Sequence, residues 1–220
     1  MCSSDLGDAE GEVLSTSSVN ISPAQFAAAC TQFVGEIPQI PPMYSALKFE
    51  GKALYEYARK GVEITRQPRL VSIKTIEVNA FSGDTTQITV ACSKGTYIRT
   101  LAEDIGAALG CGAHLIGLRR TETAGYLMPQ ALTIQQLEAM TIEARDAQLL
   151  PVDSAIEALP KVVLNADCAH FIRQGQAVWQ AGKIPIGDLR LYDEANNFLG
   201  LGFLQDDGKI APKRLIKASE

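Results

Sequence analysis

Apolar positions along the 220-residue chain change period several times, and each change marks an element. Phe26, Ala29, Cys30 and Phe33 recur at helical spacing behind Ser22-Pro23, an N-cap followed by a proline at the first helical position. A helix is therefore predicted from Ser22 to near Gly35, with that stripe in the core. Pro38, Pro41 and Pro42 exclude a helix over 36–50 and favour extended chain. A short helix over 53–60 closes at Gly61. Segments 69–80 and 85–92 alternate apolar and polar residues around Ser82-Gly83-Asp84, which reads as a hairpin. An amphipathic helix over 98–109 stops at Gly110, residues 113–127 read as extended, and a helix over 133–140 starts at Thr133. Beyond Pro151 and Pro160, a helix near 165–174 precedes short strands separated by Gly187-Asp188, Asn196-Asn197 and Asp206-Asp207-Gly208. Residues 1–20 are polar and small and read as a ragged end.

Antiparallel strands mixed with helices give an α+β fold. The acidic stretch around 150–162 marks a boundary, with a larger domain over 1–155 and a compact β-rich module over 156–220. Composition changes the picture little: 46% hydrophobic and 20% charged residues are ordinary for a soluble globular protein. The chain has neither a run of about 18 apolar residues nor a signal-peptide pattern, so a cytoplasmic protein without a membrane segment is the simplest expectation. Five cysteines (Cys2, Cys30, Cys92, Cys111, Cys168) without C-x-x-C spacing argue against a disulfide framework and against zinc. They are expected to be small buried thiols, and no metal site is expected.

Charge is more informative in its distribution than in its sum of −5. Residues 1–36 hold five acids and no base, whereas 37–74 hold seven bases (Lys48, Lys52, Arg59, Lys60, Arg66, Arg69, Lys74) against three acids. Such a block can form a phosphate-binding surface. Charge alone does not separate this from solvated charge on loops.

Three motifs carry candidate chemistry. Gln39 to Lys48, with Tyr44 and Lys48 sharing a face if extended, is either a strand and loop tracking a phosphate backbone or a core strand; physics alone favours the latter. Ser93-Lys94-Gly95-Thr96-Tyr97-Ile98-Arg99-Thr100 lies where a strand turns into a helix. Tyr97 offers an aromatic face for a base, and Arg99 a planar cation suited to a carboxylate. A surface Arg beside a half-buried Tyr is an even alternative. In Leu109 to Thr121, Leu118 lies on a strand and can wall an apolar pocket, with Arg119 and Arg120 on opposite sides. His114 reads as structural or RNA-facing.

The blocks P-P-x-Y-S-A-x-K-x-x-G-x-x-x-Y-x-x-A-R-x-G, S-K-G-T-Y-I-R-T-L-A-x-D-I-G and G-x-x-A-H-L-x-x-L-R-R-T occur in this order. They resemble the catalytic domain of the TruB family of bacterial tRNA pseudouridine synthases, over roughly 7–216. The tail resembles the family's small PUA-like RNA-binding domain. The resemblance implies a pseudouridine-synthase-type mixed, mainly antiparallel sheet with flanking helices. It also implies a tRNA T-arm stem-loop as partner, a monomer, no cofactor, and isomerisation of the T-loop uridine (tRNA position 55). The uridine is flipped out, and an aspartate attacks the nucleoside. By motif position, Tyr97 would contact the flipped base and assist proton removal. Arg99 would pair with the catalytic carboxylate, Leu118 would pack on the base, and Tyr44 and Lys48 would hold the T-arm. Together Tyr97, Arg99 and Leu118 would surround one uracil-sized hollow. Asp104 would be structural.

The chain departs from the family pattern at its start. The family's aspartate lies in a motif like G-H-x-G-x-L-D-P, and Asp5 and Asp8 have no such context. Gly7-Asp8-Ala9-Glu10-Gly11 resembles the tail of a later motif, and Cys2-Ser3-Ser4-Asp5-Leu6 reads as foreign to the family. The expectation is a chain that begins after the nucleophile, leaves Arg99 without a carboxylate, and binds tRNA with little or no isomerisation. A non-catalytic tRNA-binding module or RNA-folding helper is the alternative. A purely structural protein is disfavoured by the K-G-T-Y-I-R-T run.

Overall fold

The computed structural model describes residues 2–217, with side chains from Ser4 onward. The chain divides into two compact units between Arg119 and Arg120. The first opens with β1 (Cys2–Ser4) paired antiparallel to β2 (Val13–Thr16), so the ragged end expected over 1–20 is largely a hairpin. Side-chain to backbone bonds make it: Asp5 Oδ1 accepts the Glu12 N–H at 2.7 Å, and Ser4 Oγ donates to the Asp8 carbonyl at 2.6 Å. Polar residues thus supply the structure that apolar periodicity does not reveal.

Helix α1 (Pro23–Thr31) begins in a reciprocal cap, with Ser22 Oγ accepting the Gln25 N–H and Gln25 Oε1 accepting the Ser22 N–H. It buries Phe26, Ala29 and Cys30 as expected. Next come β3 (Gly35–Gln39), the short hairpin β4 (Lys48–Phe49) and β5 (Lys52–Ala53), and α2 (Leu54–Ala58). The chain from 40 to 47 is bent rather than a strand, with the Ser45 N–H donating to the Met43 carbonyl at 2.9 Å. Tyr44 and Lys48 therefore do not share a strand face.

β6 (Arg69–Ser82) and β7 (Thr85–Cys92) form the expected hairpin, and α3 (Ile98–Ala108) follows. The antiparallel sheet β3-β6-β7 carries the core Phe26, Cys30, Ile73, Leu101 and Ile105. Strict alternation fails along β6, whose core-facing residues are Ile73, Ile76 and Phe81. Register shifts between Ile73 and Thr75 and between Val78 and Ala80 explain it. Each changes the parity of the inward face.

The extended segment predicted over 113–127 is mostly irregular. Asp8 bridges Leu115 in parallel, and a small hairpin joins β8 (Glu122–Thr123) to β9 (Tyr126–Leu127). Leu118, Arg119 and Arg120 therefore lie outside any strand, contrary to the alternating placement expected for the two arginines.

In the second unit, α4 (Ile134–Glu138) is capped by Thr133 as expected, and α5 (Ile142–Asp146), capped by Thr141, was not anticipated. β10 (Lys161–Val163), α6 (Ala166–Arg173) with its Asn165 cap, β11 (Asp188–Tyr192), β12 (Phe198–Leu204) and β13 (Ile210–Leu215) complete it. The sheet order is β10-β11-β12-β13, parallel between the first two and antiparallel thereafter. Leu164, Ile172, Leu189, Leu191 and Ile210 are fully buried on it. The fold is α+β and mainly antiparallel, with a β-rich C-terminal part.

Cys30 and Cys168 are buried free thiols, Cys92 is half-buried and free, and Cys111 is buried. Burial pushes the thiols of Cys30 and Cys168 up. The Cys2 side chain lies outside the described residues.

Candidate active site

The turn between β7 and α3 is fixed by hydroxyls. Ser93 Oγ accepts the Ser72 N–H at 3.0 Å, and Thr96 Oγ1 donates to the Ser93 carbonyl at 2.9 Å. Gly95 takes φ +86°, which lets the chain reverse there. Tyr97 is then the N-cap residue of α3, and Arg99 lies in its first turn.

Two partners that sequence reasoning missed hold this turn. Gln39, only 2% exposed, accepts the Tyr97 N–H at 2.8 Å and donates Nε2 to the Tyr97 carbonyl at 3.1 Å. Arg99 donates Nη1 to the Leu6 carbonyl at 3.0 Å and to Asp8 Oδ2 at 3.2 Å, and Nη2 to the Tyr44 carbonyl at 2.7 Å. The expectation that Arg99 lacks a carboxylate is corrected: Asp8 is its ion-pair partner, with the two side chains 24% and 28% exposed.

Asp8 reaches Arg99 because β1 and β2 return the chain and because Leu115 N–H bonds the Gly7 carbonyl at 3.0 Å. Gly7 takes φ +71°, a conformation that L side chains rarely adopt, which favours glycine there. Burial first, then Asp104 and Asp8, raise the Glu103 carboxyl, while Arg99 lowers it. Burial alone raises Asp104, which is consistent with a packing role.

The structure thus brings Tyr44, Tyr97 and Arg99 together, with Gln39 and Asp8 as their supports. No described residue bonds the Tyr97 hydroxyl. The hydroxyls of Ser45 and Thr100, the neighbours of Tyr44 and Arg99, are buried without a partner among the described residues. Each such group costs about 1–3 kcal/mol, a compromise usual at functional sites.

Lys48 is exposed on β4, with Lys52 on the facing strand. Nearby, the Arg59 guanidinium lies 5.2 Å from the Tyr55 ring centroid. Arg66, counted in the basic block, is used internally, donating to the carbonyls of Ile64 and Pro41. Leu118 is 68% exposed and His114 half-buried. Two cavities, of about 290 Å³ and 600 Å³, lie in the second unit, and neither is lined by Tyr97, Arg99 or Leu118.

Comparison with known proteins matches the sequence to one family. The model of the TruB family pseudouridylate synthase N-terminal domain covers residues 1–98. That of the tRNA pseudouridylate synthase B C-terminal domain covers 99–157, and that of the pseudouridine synthase II TruB C-terminal region covers 160–216. The chain is 54% identical to tRNA pseudouridine synthase B of Methylobacillus flagellatus over 211 residues, covering 96% of this chain and 70% of that protein. It is 46% identical to tRNA pseudouridine synthase B of Nitrosospira multiformis, covering 97% and 72%.

Among solved structures, a Cbf5-Nop10-Gar1 complex aligns with TM-score 0.68 at 24% identity, over 91% of this chain and 63% of that one. An H/ACA RNP bound to a substrate RNA containing 2′-deoxyuridine aligns with TM-score 0.67 at 20% identity, over 90% and 62%. These two share the fold, and the chain spans less than two thirds of each. By its sequence, the chain belongs to the TruB family of pseudouridine synthases.

Proposed function

We propose that this chain serves in the isomerisation of the T-loop uridine of tRNA to pseudouridine. The observation that carries the reading is the Tyr97–Arg99 turn, held from both sides by Gln39, Asp8 and Tyr44. A guanidinium has five N–H donors. Three of Arg99's are used in the bonds to Leu6, Asp8 and Tyr44, which leaves two, Nε–H among them. Two free donors on one planar cation suit a carboxylate, whose ionised form they favour.

Tyr97, two residues before Arg99, supplies a ring face and a hydroxyl that no described residue bonds, suited to an extruded base. Leu118, exposed three residues after Leu115, is assigned to pack against that base. Tyr44 and Lys48 are assigned to the T-arm, Lys48 through phosphate contact. Residues 156–220 are assigned as a PUA-like RNA-binding module, because β10–β13 and their core draw on that span alone. A monomer in the cytoplasm completes the reading. No helix among the described residues is long and apolar enough to cross a membrane.

The reaction exchanges an N-glycosidic for a C-glycosidic bond and releases the hydrogen on uracil C5. Tritium release from 5-tritiated uridine in a T-arm stem-loop measures it directly. With a segment carrying the family's G-H-x-G-x-L-D-P motif joined ahead of residue 1, Arg99→Ala is expected to lower release about 100-fold, the scale of losing one preorganised charge contact. RNA affinity should hold within about threefold. Release from that extended chain that Arg99→Ala leaves unchanged would overturn the assignment. T-arm binding that ignores Tyr97→Ala, without any release, would favour a non-catalytic RNA-binding module.

A further inference from the structure

Between β3 and β6 the chain makes an excursion over 40–68 that carries Tyr44 and Lys48. It leaves the sheet at Gln39 and returns at Arg69, which face each other as the last register pair. The ladder cannot run on from there. Pro41, Pro42 and Pro68 have no N–H, so the backbone just outside the sheet is short of donors on both sides.

Arg66 supplies donors in their place. It donates Nη1 to the Pro41 carbonyl at 3.2 Å and Nε to the Ile64 carbonyl at 3.1 Å. One guanidinium thus joins the outgoing chain to the returning chain. The Arg66 side chain is 21% exposed, whereas its ion-pair partner Glu63, at 3.4 Å, is 83% exposed. So exposed a partner adds little, which leaves the two carbonyls as the main contacts.

What this clasp holds bears on the site. Three residues past Pro41, the Tyr44 carbonyl accepts Arg99 Nη2 at 2.7 Å, shorter than the bonds of that guanidinium to Leu6 and Asp8. The far side of the bend is tied separately. The Ser45 carbonyl accepts the Tyr55 N–H at 3.1 Å, and the Leu47 carbonyl accepts the Leu54 N–H at 2.8 Å. The Tyr44 carbonyl is therefore suspended between two anchored ends, with Arg66 on the sheet side. The Ser45 hydroxyl stays buried without a partner among the described residues, so the anchors impose the bend at its expense.

We infer that Arg66 is a positioning residue, which acts through Pro41 and the Tyr44 carbonyl to set the pose of Arg99. Its place in a basic block suggests phosphate contact instead, and experiment separates the two roles. The inference rests on the proposed role of Arg99. Arg66→Met keeps the apolar stem and removes the donors. Hydrogen exchange of the Arg99 guanidinium, followed by 15N NMR in the whole chain, should accelerate about fivefold or more, the scale of one lost hydrogen bond. Amides of the β6–β7 hairpin should keep their rates. The slope of log affinity against log salt for a T-arm stem-loop should stay unchanged. Arg66→Lys keeps the charge, but one ammonium cannot serve both carbonyls as a fork does, so it should recover only part of the loss.

Unchanged Arg99 exchange in Arg66→Met overturns the inference. So does equal acceleration across the hairpin, which would mark Arg66 as general scaffold. A salt slope shallower by about 0.7–0.9 would make Arg66 a phosphate contact and overturn it as well. Should Arg66→Met not fold, Arg66→Lys decides, and guanidinium exchange equal to that of the unsubstituted chain overturns the inference. The exchange measurement needs no RNA, so absence of T-arm binding would count against the proposed function alone.

Discussion

Gln39→Leu is the substitution that tests the site most directly. The amide of Gln39 is almost fully buried and spends both its groups on one residue, Tyr97. Leucine keeps much of the volume and offers neither bond. The Tyr97 carbonyl retains a second donor, the Leu101 N–H at 3.0 Å, so it loses about 0.5–1.5 kcal/mol. The Tyr97 N–H has no such reserve in a half-buried turn, and stranding it costs about 1–3 kcal/mol. Together these give about 1.5–4.5 kcal/mol.

Urea denaturation followed by far-UV circular dichroism gives the stability change. Amide hydrogen exchange at Tyr97 locates it, and exchange there should accelerate more than in the β6–β7 hairpin. Gln39→Glu sharpens the test through pH. A carboxylate at this position still accepts from the Tyr97 N–H but faces the Tyr97 carbonyl without a proton, so its folded-state pKa is raised. Its penalty is absent below the unfolded value near 4.3 and grows as pH rises above it. Unaltered stability and Tyr97 exchange in Gln39→Leu would refute the claim that Gln39 sets the turn.

Asp8→Asn should cost no more than about 1 kcal/mol, because the pair with Arg99 is partly solvated. In the chain extended by the family's G-H-x-G-x-L-D-P segment it should still lower tritium release about tenfold, with T-arm affinity unchanged in a filter-binding assay. Gly106→Ala should destabilise the first unit by about 1–3 kcal/mol or more in urea denaturation, since the new Cβ would sit 2.4 Å from the backbone of Gly112 and Ala113. Tyr192→Phe removes the hydroxyl that bonds Asp153, which also pairs with Arg190 at 2.8 Å, and should cost about 1.5–3 kcal/mol by Trp179-monitored denaturation. The Tyr192 hydroxyl first, and Arg190 after it, hold the Asp153 carboxyl below its usual range. That stabilisation is present above about pH 3.9 and fades as pH falls through the lower folded-state value, so the variant should lose less on acidification.

What was legible in the sequence was local. Ser22-Pro23, Thr133 and Asn165 announce helices because a cap and its partner lie within one turn. Gly83 and Gly110 mark the turns they form for the same reason. Tyr97 and Arg99 were found because their run is contiguous. Their supports were not, because Gln39 pairs with Tyr97 across 58 residues and Asp8 with Arg99 across 91. No period or spacing encodes such bonds. A glycine beside an acidic residue at Gly7-Asp8 was the one available hint, and the polar composition of 1–20 masked it. The parity changes in β6 were hidden likewise, since a bulge leaves no reliable mark in one sequence.

Arg99 now has two tasks that its geometry keeps apart. Its Nη groups tie three stretches of chain that are distant in sequence, at Leu6, Asp8 and Tyr44. The donors left over are the ones available to chemistry. A lysine would preserve the charge, but a single ammonium cannot reach acceptors arrayed around a planar fork. Loss of activity on replacing Arg99 therefore mixes a loosened turn with a lost cation. Asp8 separates the two, because its removal frees a donor without removing the charge. If the turn matters chiefly as scaffold, Asp8→Asn and Gln39→Leu should depress activity in proportion to the stability each removes. If orientation of the guanidinium matters, Asp8→Asn should depress it far more than its small stability cost allows.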